Sequence, residues 1–198
     1  MTHKFLILLS GATLALAACG KHDNATTGGA DTGNATDVNA MASDNGMAAN
    51  SAATAPAPTT AQAFVNAAAA SDRFEIESSK LAQGSASSSA VKKFAAQMIS
   101  AHTASTAKLK GTIAGLNPPL TADDTLAPDQ QQTLDSLKGL NGAAFDSAYA
   151  QAQQEAHQKT LDALKTYSSS GDNAALKSFA SGMIPTVTAH LNLAKGLK

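Results

Sequence analysis

From Thr60 to the end of the chain, apolar and small side chains recur at alternating spacings of three and four residues. The series is clearest at residues 88–116 and 173–197, and it continues at 143–168 and, with small and polar residues, at 61–83. Such spacing places one continuous seam along a face of an α-helix. The pattern therefore predicts four helices, of which the last is loosened at Pro185, because proline lacks an amide donor. No segment alternates strongly enough to predict a strand.

The connections between the predicted helices differ in length. Short turns are predicted at 84–87 and 169–172, whereas a long segment, Asn117–Gly142, separates the second helix from the third and contains a predicted short helix from Pro128 to Leu137. Loops in up-and-down bundles run to about 8 residues. One long crossover is instead typical of ferritin-like bundles. The sequence thus predicts an all-α, ferritin-like four-helix bundle with one long crossover between helices two and three.

An internal repeat fits this division of the helices. Residues 91–99 match residues 176–184 in most positions, and at the same offset residues 76, 77 and 80 fall on 161, 162 and 165. Two similar helical hairpins joined by a crossover would produce such a repeat. Chance similarity between alanine-rich amphipathic helices is the alternative.

The first residues have the order of a bacterial export signal. A short basic start precedes an apolar run at residues 5–18, which is shorter than the roughly 20 residues of a membrane-spanning helix. The tetrapeptide Leu16-Ala17-Ala18-Cys19 resembles the lipobox, in which the cysteine is acylated and becomes the first mature residue. Gly20 after the cysteine is typical of sorting to the outer membrane. The alternative is an ordinary secretory peptide with an incidental cysteine.

Composition sets the remaining domain boundaries and excludes some partners. Residues 19–60 are mostly small and polar, so they cannot offset the entropy of ordering and are predicted to form a disordered tether, followed by a folded domain at 61–198. The net charge of -1 leaves no basic excess for nucleic-acid binding. The single cysteine excludes an internal disulfide and a four-thiolate zinc site. The expected partner is a membrane, reached through the lipid, and a protein partner is undefined.

A set of separated motifs runs in order through the predicted helices: Phe64, Glu75-Ile76-Glu77 to Leu81-Ala82, Val91 to Phe94, Met98, His102, Phe145-Asp146 with Tyr149, His157, Lys177 with Phe179, Ile184-Pro185 and His190. Together they resemble the bacterial family labelled predicted outer membrane protein, a ferritin-like domain of unknown function. The resemblance covers about residues 61–197 and implies an exported, all-helical bundle with no settled activity. The family pattern usually has Asp immediately before the helix-two histidine, where this chain has Ala101, so no role for that carboxylate carries over.

Three histidines are the candidate chemistry. His102, His157 and His190 lie one each on helices two, three and four, and all three fall on the predicted core seams. Counting from the short turns, and applying the repeat offset, places Asp72, His102 and His157 in one layer. His190 lies about 4.5 Å further along, and Glu75 lies one turn from Asp72. Three imidazoles with one or two carboxylates would suit Zn, Cu, Fe or Mn.

Other interpretations of these residues stay open. The Glu-x-x-His signature of ferritin-like di-metal proteins is absent, which argues against ferroxidase chemistry. Each histidine could instead be a core residue hydrogen-bonded to a neighbour such as Tyr149, Asp146 or Gln153, or could serve acid–base catalysis without metal. Asp146 and Tyr149 could orient a ligand, although an acidic residue near a helix start is also favoured by the helix dipole.

Two functions follow. The main hypothesis is a non-enzymatic cell-envelope lipoprotein, anchored in the outer membrane and facing the periplasm, whose bundle binds a partner or has a structural role. The alternative is a small metal-binding or redox bundle that uses the three histidines with Asp72 or Glu75. No catalytic residue is predicted. The two hypotheses predict different metal contents, since only the second requires a nearly stoichiometric ion.

Overall fold

The computed structural model describes residues 57–197, which form five helices and, within that range, no strand. The predicted signal, Cys19 and most of the predicted tether lie outside the described residues. The all-α bundle predicted from the sequence is confirmed: four long helices surround the core, and a short helix lies in the long connection between the second and third of them. The helices are α1 (Ala61–Ser85), α2 (Ser89–Ala114), α3 (Pro128–Lys138), α4 (Gly142–Ser170) and α5 (Ala174–Lys195).

Side-chain caps fix where three of the long helices begin. The Oγ1 atom of Thr60 accepts a hydrogen bond from an amide in the first turn of α1, and the Oγ atom of Ser88 does the same for α2. Asn173 caps α5 through its Oδ1 atom. Each cap satisfies a backbone donor that the helix itself leaves without a partner.

The four long helices form two hairpins. α1 packs antiparallel to α2, α4 packs antiparallel to α5, and the two hairpins meet through α1 with α4 and α2 with α5. One apolar cluster contains the start of α1 and α5 and the end of α2 and α4, so α2 runs parallel to α4. The crossover therefore has to travel the length of the bundle, and α3 packs on α1 and α4 along the way.

The apolar core is divided into two clusters by a layer of polar side chains. The Phe64 cluster occupies one end of the bundle and the Phe94 cluster occupies the other. Along α1, α2 and α4, buried polar positions come between the positions that belong to the two clusters. A buried polar layer is costly unless its groups are paired, so it marks the part of the core to inspect for function. Its residues are Asp72, Glu75, Ser78, Ser79, His102, Ser105, Gln153 and His157.

The turn between α4 and α5 requires glycine. The ring of Tyr167 stacks on the ring of Phe64 with centroids 4.0 Å apart, and its hydroxyl donates to Asp172 at 2.9 Å. A Cβ atom at Gly171 would lie 2.6 Å from the Tyr167 ring. Because that ring is held by its stacking partner, only a residue without a Cβ fits here.

α5 continues through Pro185 as one helix, and the loosening predicted there stays a prediction. Pro185 and Ser181 are both exposed, and water can therefore reach the Ser181 carbonyl that the proline deprives of its usual donor.

Within residues 57–197, none of the helices combines the length and apolar character needed to cross a bilayer.

Candidate metal centre

The three core histidines come together in the polar layer. His102 on α2, His157 on α4 and His190 on α5 each place one ring nitrogen within 4.8 Å of the others. Their ring centroids are 5.7 Å, 5.7 Å and 5.5 Å apart. His102 and His157 are 5% and 1% exposed, and His190 is half-buried. The separation is small enough for the three imidazoles to share one ion.

A carboxylate from α1 orients the first imidazole. The Nδ1–H group of His102 donates to Oδ1 of Asp72 at 2.8 Å, and Oδ2 of Asp72 accepts from the hydroxyl of Thr106 at 3.0 Å. Since the carboxylate accepts, the neutral ring carries its proton on Nδ1 and has a free lone pair on Nε2. In many metal sites, the histidine that binds the metal donates its other ring N–H group to a carboxylate in the same way. Ala101, where the family pattern has Asp, contributes no such group.

A backbone carbonyl orients the second imidazole. The Nδ1–H group of His157 donates to the carbonyl oxygen of Gln153 at 2.8 Å, one turn earlier on α4. A carbonyl can only accept, so this ring also presents a bare Nε2 atom. Oε1 of Glu75 lies 3.6 Å from the same Nδ1 atom. Glu75 is 1% exposed, which makes it one of the most buried charged residues of the described chain.

One ring nitrogen of each histidine lacks a hydrogen-bond partner within the described chain. Nε2 of His102, Nε2 of His157 and Nδ1 of His190 are buried and make no hydrogen bond to any described residue. An ion with Zn–N bonds near 2.0–2.1 Å needs ligand nitrogens about 3.4 Å apart. Small side-chain rotations can close the remaining gap. If each histidine were a core residue fully satisfied by hydrogen bonds, both of its ring nitrogens would have partners. Only one nitrogen of His102 and one of His157 have a partner among the described residues.

The electrostatics of the cluster favour neutral rings on α4 and α5. Burial lowers the pKa of His157 to about 4, and burial together with the His102 charge lowers the pKa of His190 to about 4. Burial also acts to lower the pKa of His102, but the hydrogen bond to Asp72 and the charges of Glu75 and Asp72 outweigh it and raise that pKa. The surroundings that favour a proton on His102 also favour a metal cation in the same place.

The predicted carboxylates lie next to the imidazoles and do not belong to the group of side chains that could share one ion. Oδ1 of Asp72 lies 2.8 Å from Nδ1 of His102, and Oε1 of Glu75 lies 3.6 Å from Nδ1 of His157. Burial raises the pKa of Glu75 to about 7, against the opposing effects of His102 and of the Gln153 side chain. Thr106 was not predicted from the sequence, although its position one turn after His102 on α2 is a signal that could have found it.

Asp146 and Tyr149 lie away from the three nitrogens. Asp146 accepts hydrogen bonds from the amides of Ser87 and Ser88 and from the Ser87 hydroxyl, so it holds the turn between α1 and α2. The hydroxyl of Tyr149 shares a hydrogen bond of 2.7 Å with Ser79, and burial raises the pKa of the phenol well above its usual value. In this structure both residues therefore contact core and turn groups, and neither contacts a histidine nitrogen.

Comparison with known proteins places the chain in a family. The family model described as a domain of unknown function, DUF4142, matches residues 46–197. The chain belongs to this family. A search of curated proteins gave no match.

Two solved structures resemble the DUF4142 bundle. One is CopM in the Cu(II)-bound form, with a TM-score of 0.57 and 16% sequence identity over 69% of this chain and 94% of that chain. The other is CopM in the Ag-bound form, with a TM-score of 0.55 and 17% identity over 69% of this chain and 93% of that chain. At this level of identity the similarity concerns the fold.

Proposed function

We propose that the bundle is a non-enzymatic metal-binding module in which His102, His157 and His190 hold one transition-metal ion. The proposal depends on one observation: the three histidines each offer a ring nitrogen within 4.8 Å of the others, and each has a buried ring nitrogen with no hydrogen-bond partner in the described part of the chain. A buried polar atom without a partner is costly, and an ion would give all three a partner at once.

The donor set indicates the class of metal. Imidazole nitrogen suits Cu, Zn, Fe and Ni, whereas Mn prefers oxygen ligands. Of the four metals expected from the sequence, Cu(II) and Zn(II) fit a centre built from three imidazoles best. The shared fold with structures of CopM in Cu(II)-bound and Ag-bound forms supports this choice.

Burial of the ligands favours binding over catalysis. His102 and His157 are almost fully enclosed, which leaves little space for a substrate beside the ion. Two shallow surface depressions, one between α3 and α4 and one beside residues 119–122, are lined by no histidine. The residues would therefore hold the ion and shield it from solvent, and Asp72 would keep the His102 ring in its ligating orientation.

Metal analysis tests the proposal directly. The mature chain, without a histidine tag, is extracted in mild detergent from cells grown with trace metals and then analysed by elemental mass spectrometry. We expect about one Cu or Zn ion per chain, because one cluster of three ligands serves one ion. A chain that stays free of metal after incubation with Cu²⁺ and Zn²⁺ would contradict the proposal.

We further propose that this module belongs to an outer-membrane lipoprotein, anchored through Cys19 and held off the membrane by the tether at residues 19–60. The support comes from the sequence, in which the single cysteine occupies the one position that the lipobox requires. Two or three acyl chains would anchor it stably. Mass spectrometry of the extracted protein should find an acylated terminus at Cys19, and Cys19→Ser should abolish it. A processed terminus without fatty acid would exclude the anchor.

A further inference from the structure

Glu75 is a buried carboxylate whose burial the described protein does not explain. Its side chain is 1% exposed, and its Oε2 atom has no hydrogen-bond partner within the described chain. Its Oε1 atom lies 3.6 Å from Nδ1 of His157, too far for a normal hydrogen bond. An enclosed carboxylate normally has a cation or several donors beside it.

The neighbouring donors also bond other groups, and the Gln153 side chain stabilises the Glu75 carboxylate only in part, since the pKa of Glu75 stays raised. The Nδ1–H group of His157 donates to the Gln153 carbonyl, and the Gln153 amide donates to Ser78 at 3.2 Å. Among the described residues, the buried polar and charged set contains no lysine and no arginine. No permanently charged protein group is therefore placed to balance this carboxylate.

Asp72 and Glu75 have equivalent places relative to the candidate ion. Both project from α1, which supplies no histidine to the cluster. Each lies against the Nδ1 atom of a ring whose Nε2 atom is buried and has no hydrogen-bond partner among the described residues. Asp72 also orients its ring through a hydrogen bond, whereas the ring beside Glu75 is already oriented by a carbonyl. What remains for Glu75 to supply is negative charge.

We infer that Glu75 is a specificity-determining residue that, with Asp72, makes the centre prefer divalent over monovalent cations. The inference rests on the proposed function. The attraction between a fixed charge and an ion is proportional to the charge of the ion. Each carboxylate therefore adds twice as much binding free energy for Cu²⁺ or Zn²⁺ as for Ag⁺. Two carboxylates behind three neutral imidazoles also match the charge of one divalent ion.

The test compares ions of different charge in one isosteric variant. Zn²⁺ and Ag⁺, both redox-inert, are titrated into wild-type protein and Glu75→Gln at pH 7.5 in chloride-free buffer. We expect Glu75→Gln to weaken Zn²⁺ binding by about 100-fold and Ag⁺ binding by about 10-fold. The loss for Zn²⁺ is at the upper end of what is typical when a residue that contacts a metal ligand, and not the metal itself, is replaced. Glu77→Gln is the matched control, because it removes the same charge from a partly exposed position on α1, where the carboxylate pairs with Arg73, and it should leave the ratio unchanged.

Each other outcome has a defined meaning. Equal losses for the two ions, or no loss for either, would overturn the charge role of Glu75. If circular dichroism shows that Glu75→Gln has lost its helices, Asp72→Asn replaces it, since Asn keeps an oxygen that accepts from His102 and removes the other charge. The same two-to-one ratio of logarithmic losses is expected there. Wild-type protein that binds neither ion would refute the proposed function itself.

Discussion

Replacing His157 with Gln will weaken metal binding by more than about 100-fold, because the change removes one of three ligands and exceeds the loss expected for a group behind a ligand. His157 is 1% exposed, its donation to the Gln153 carbonyl leaves a buried Nε2 atom without a partner, and one of its ring nitrogens lies within 4.8 Å of those of the other two rings. A glutamine side chain fills similar space but offers no imidazole nitrogen. Competition titration against a metallochromic chelator, with elemental analysis of the purified chain, measures the loss. The equivalent substitutions at His102 and His190 should have the same consequence.

Ser79→Ala is the control for general damage to the polar layer. Ser79 is fully buried and shares a hydrogen bond with the Tyr149 hydroxyl, but it contacts none of the three histidine nitrogens. Losing that bond should lower stability by about 1 kcal/mol and leave the metal content unchanged. Should both variants lose metal equally, the ion would depend on core integrity and not on an imidazole ligand. A His157→Gln protein that keeps its metal would remove this residue from the site.

The sequence was sufficient to predict the architecture because the bundle depends on a long-range pattern. Seams at spacings of three and four persist over several turns in each helix, so an error at one position changes little. The length of the segment between the second and third long helices indicated the crossover, and the structure confirms it with α3 inside. Helix ends differ from the predicted ones by at most two residues, since local capping by residues such as Asn173 fixes them and a periodic pattern does not.

The layer that contains the candidate centre could also be predicted from the sequence, because of the geometry of the hairpins. Antiparallel hairpins tie the height of a residue to its distance from the turn, and the repeat relates Asp72 to His157. The structure places Asp72 in contact with His102, and His102 near His157. What sequence could not give is the direction of each side chain. Which nitrogen of a ring is bonded and which is bare depends on rotamers set by neighbours such as the Gln153 carbonyl.

The contacts of Asp146 also could not be predicted from the sequence. Its place near the start of a helix suggested either a ligand-orienting group or a favourable helix dipole. In the structure it reaches across to the turn of the other hairpin, where it accepts from Ser87 and Ser88. A contact between residues so distant in sequence arises only when two hairpins dock, and no local pattern encodes it.

Replacing Asp146 with Ala will therefore lower the free energy of unfolding by about 3 kcal/mol while leaving the metal content unchanged. The carboxylate is 5% exposed and accepts three hydrogen bonds, two of them from backbone amides at the start of α2. Alanine would leave those amides without an acceptor and release the turn from α4. For a domain of this size the melting temperature should fall by about 10 °C, which differential scanning calorimetry would detect.

Asp162→Ala is the control that shows whether removing any acidic residue from α4 would cause the same loss of stability. Asp162 is exposed and contacts only the side chain of Gln158, one turn away on the same helix, so its removal should change stability by less than about 0.5 kcal/mol. The two variants carry the same change in charge and differ in what the carboxylate holds together. If Asp146→Ala instead melted like the wild type and lost the metal, the residue would orient a ligand. A lower melting temperature with full metal content assigns it to the junction between the hairpins, and the chemistry then depends on the histidine cluster and the two carboxylates of α1.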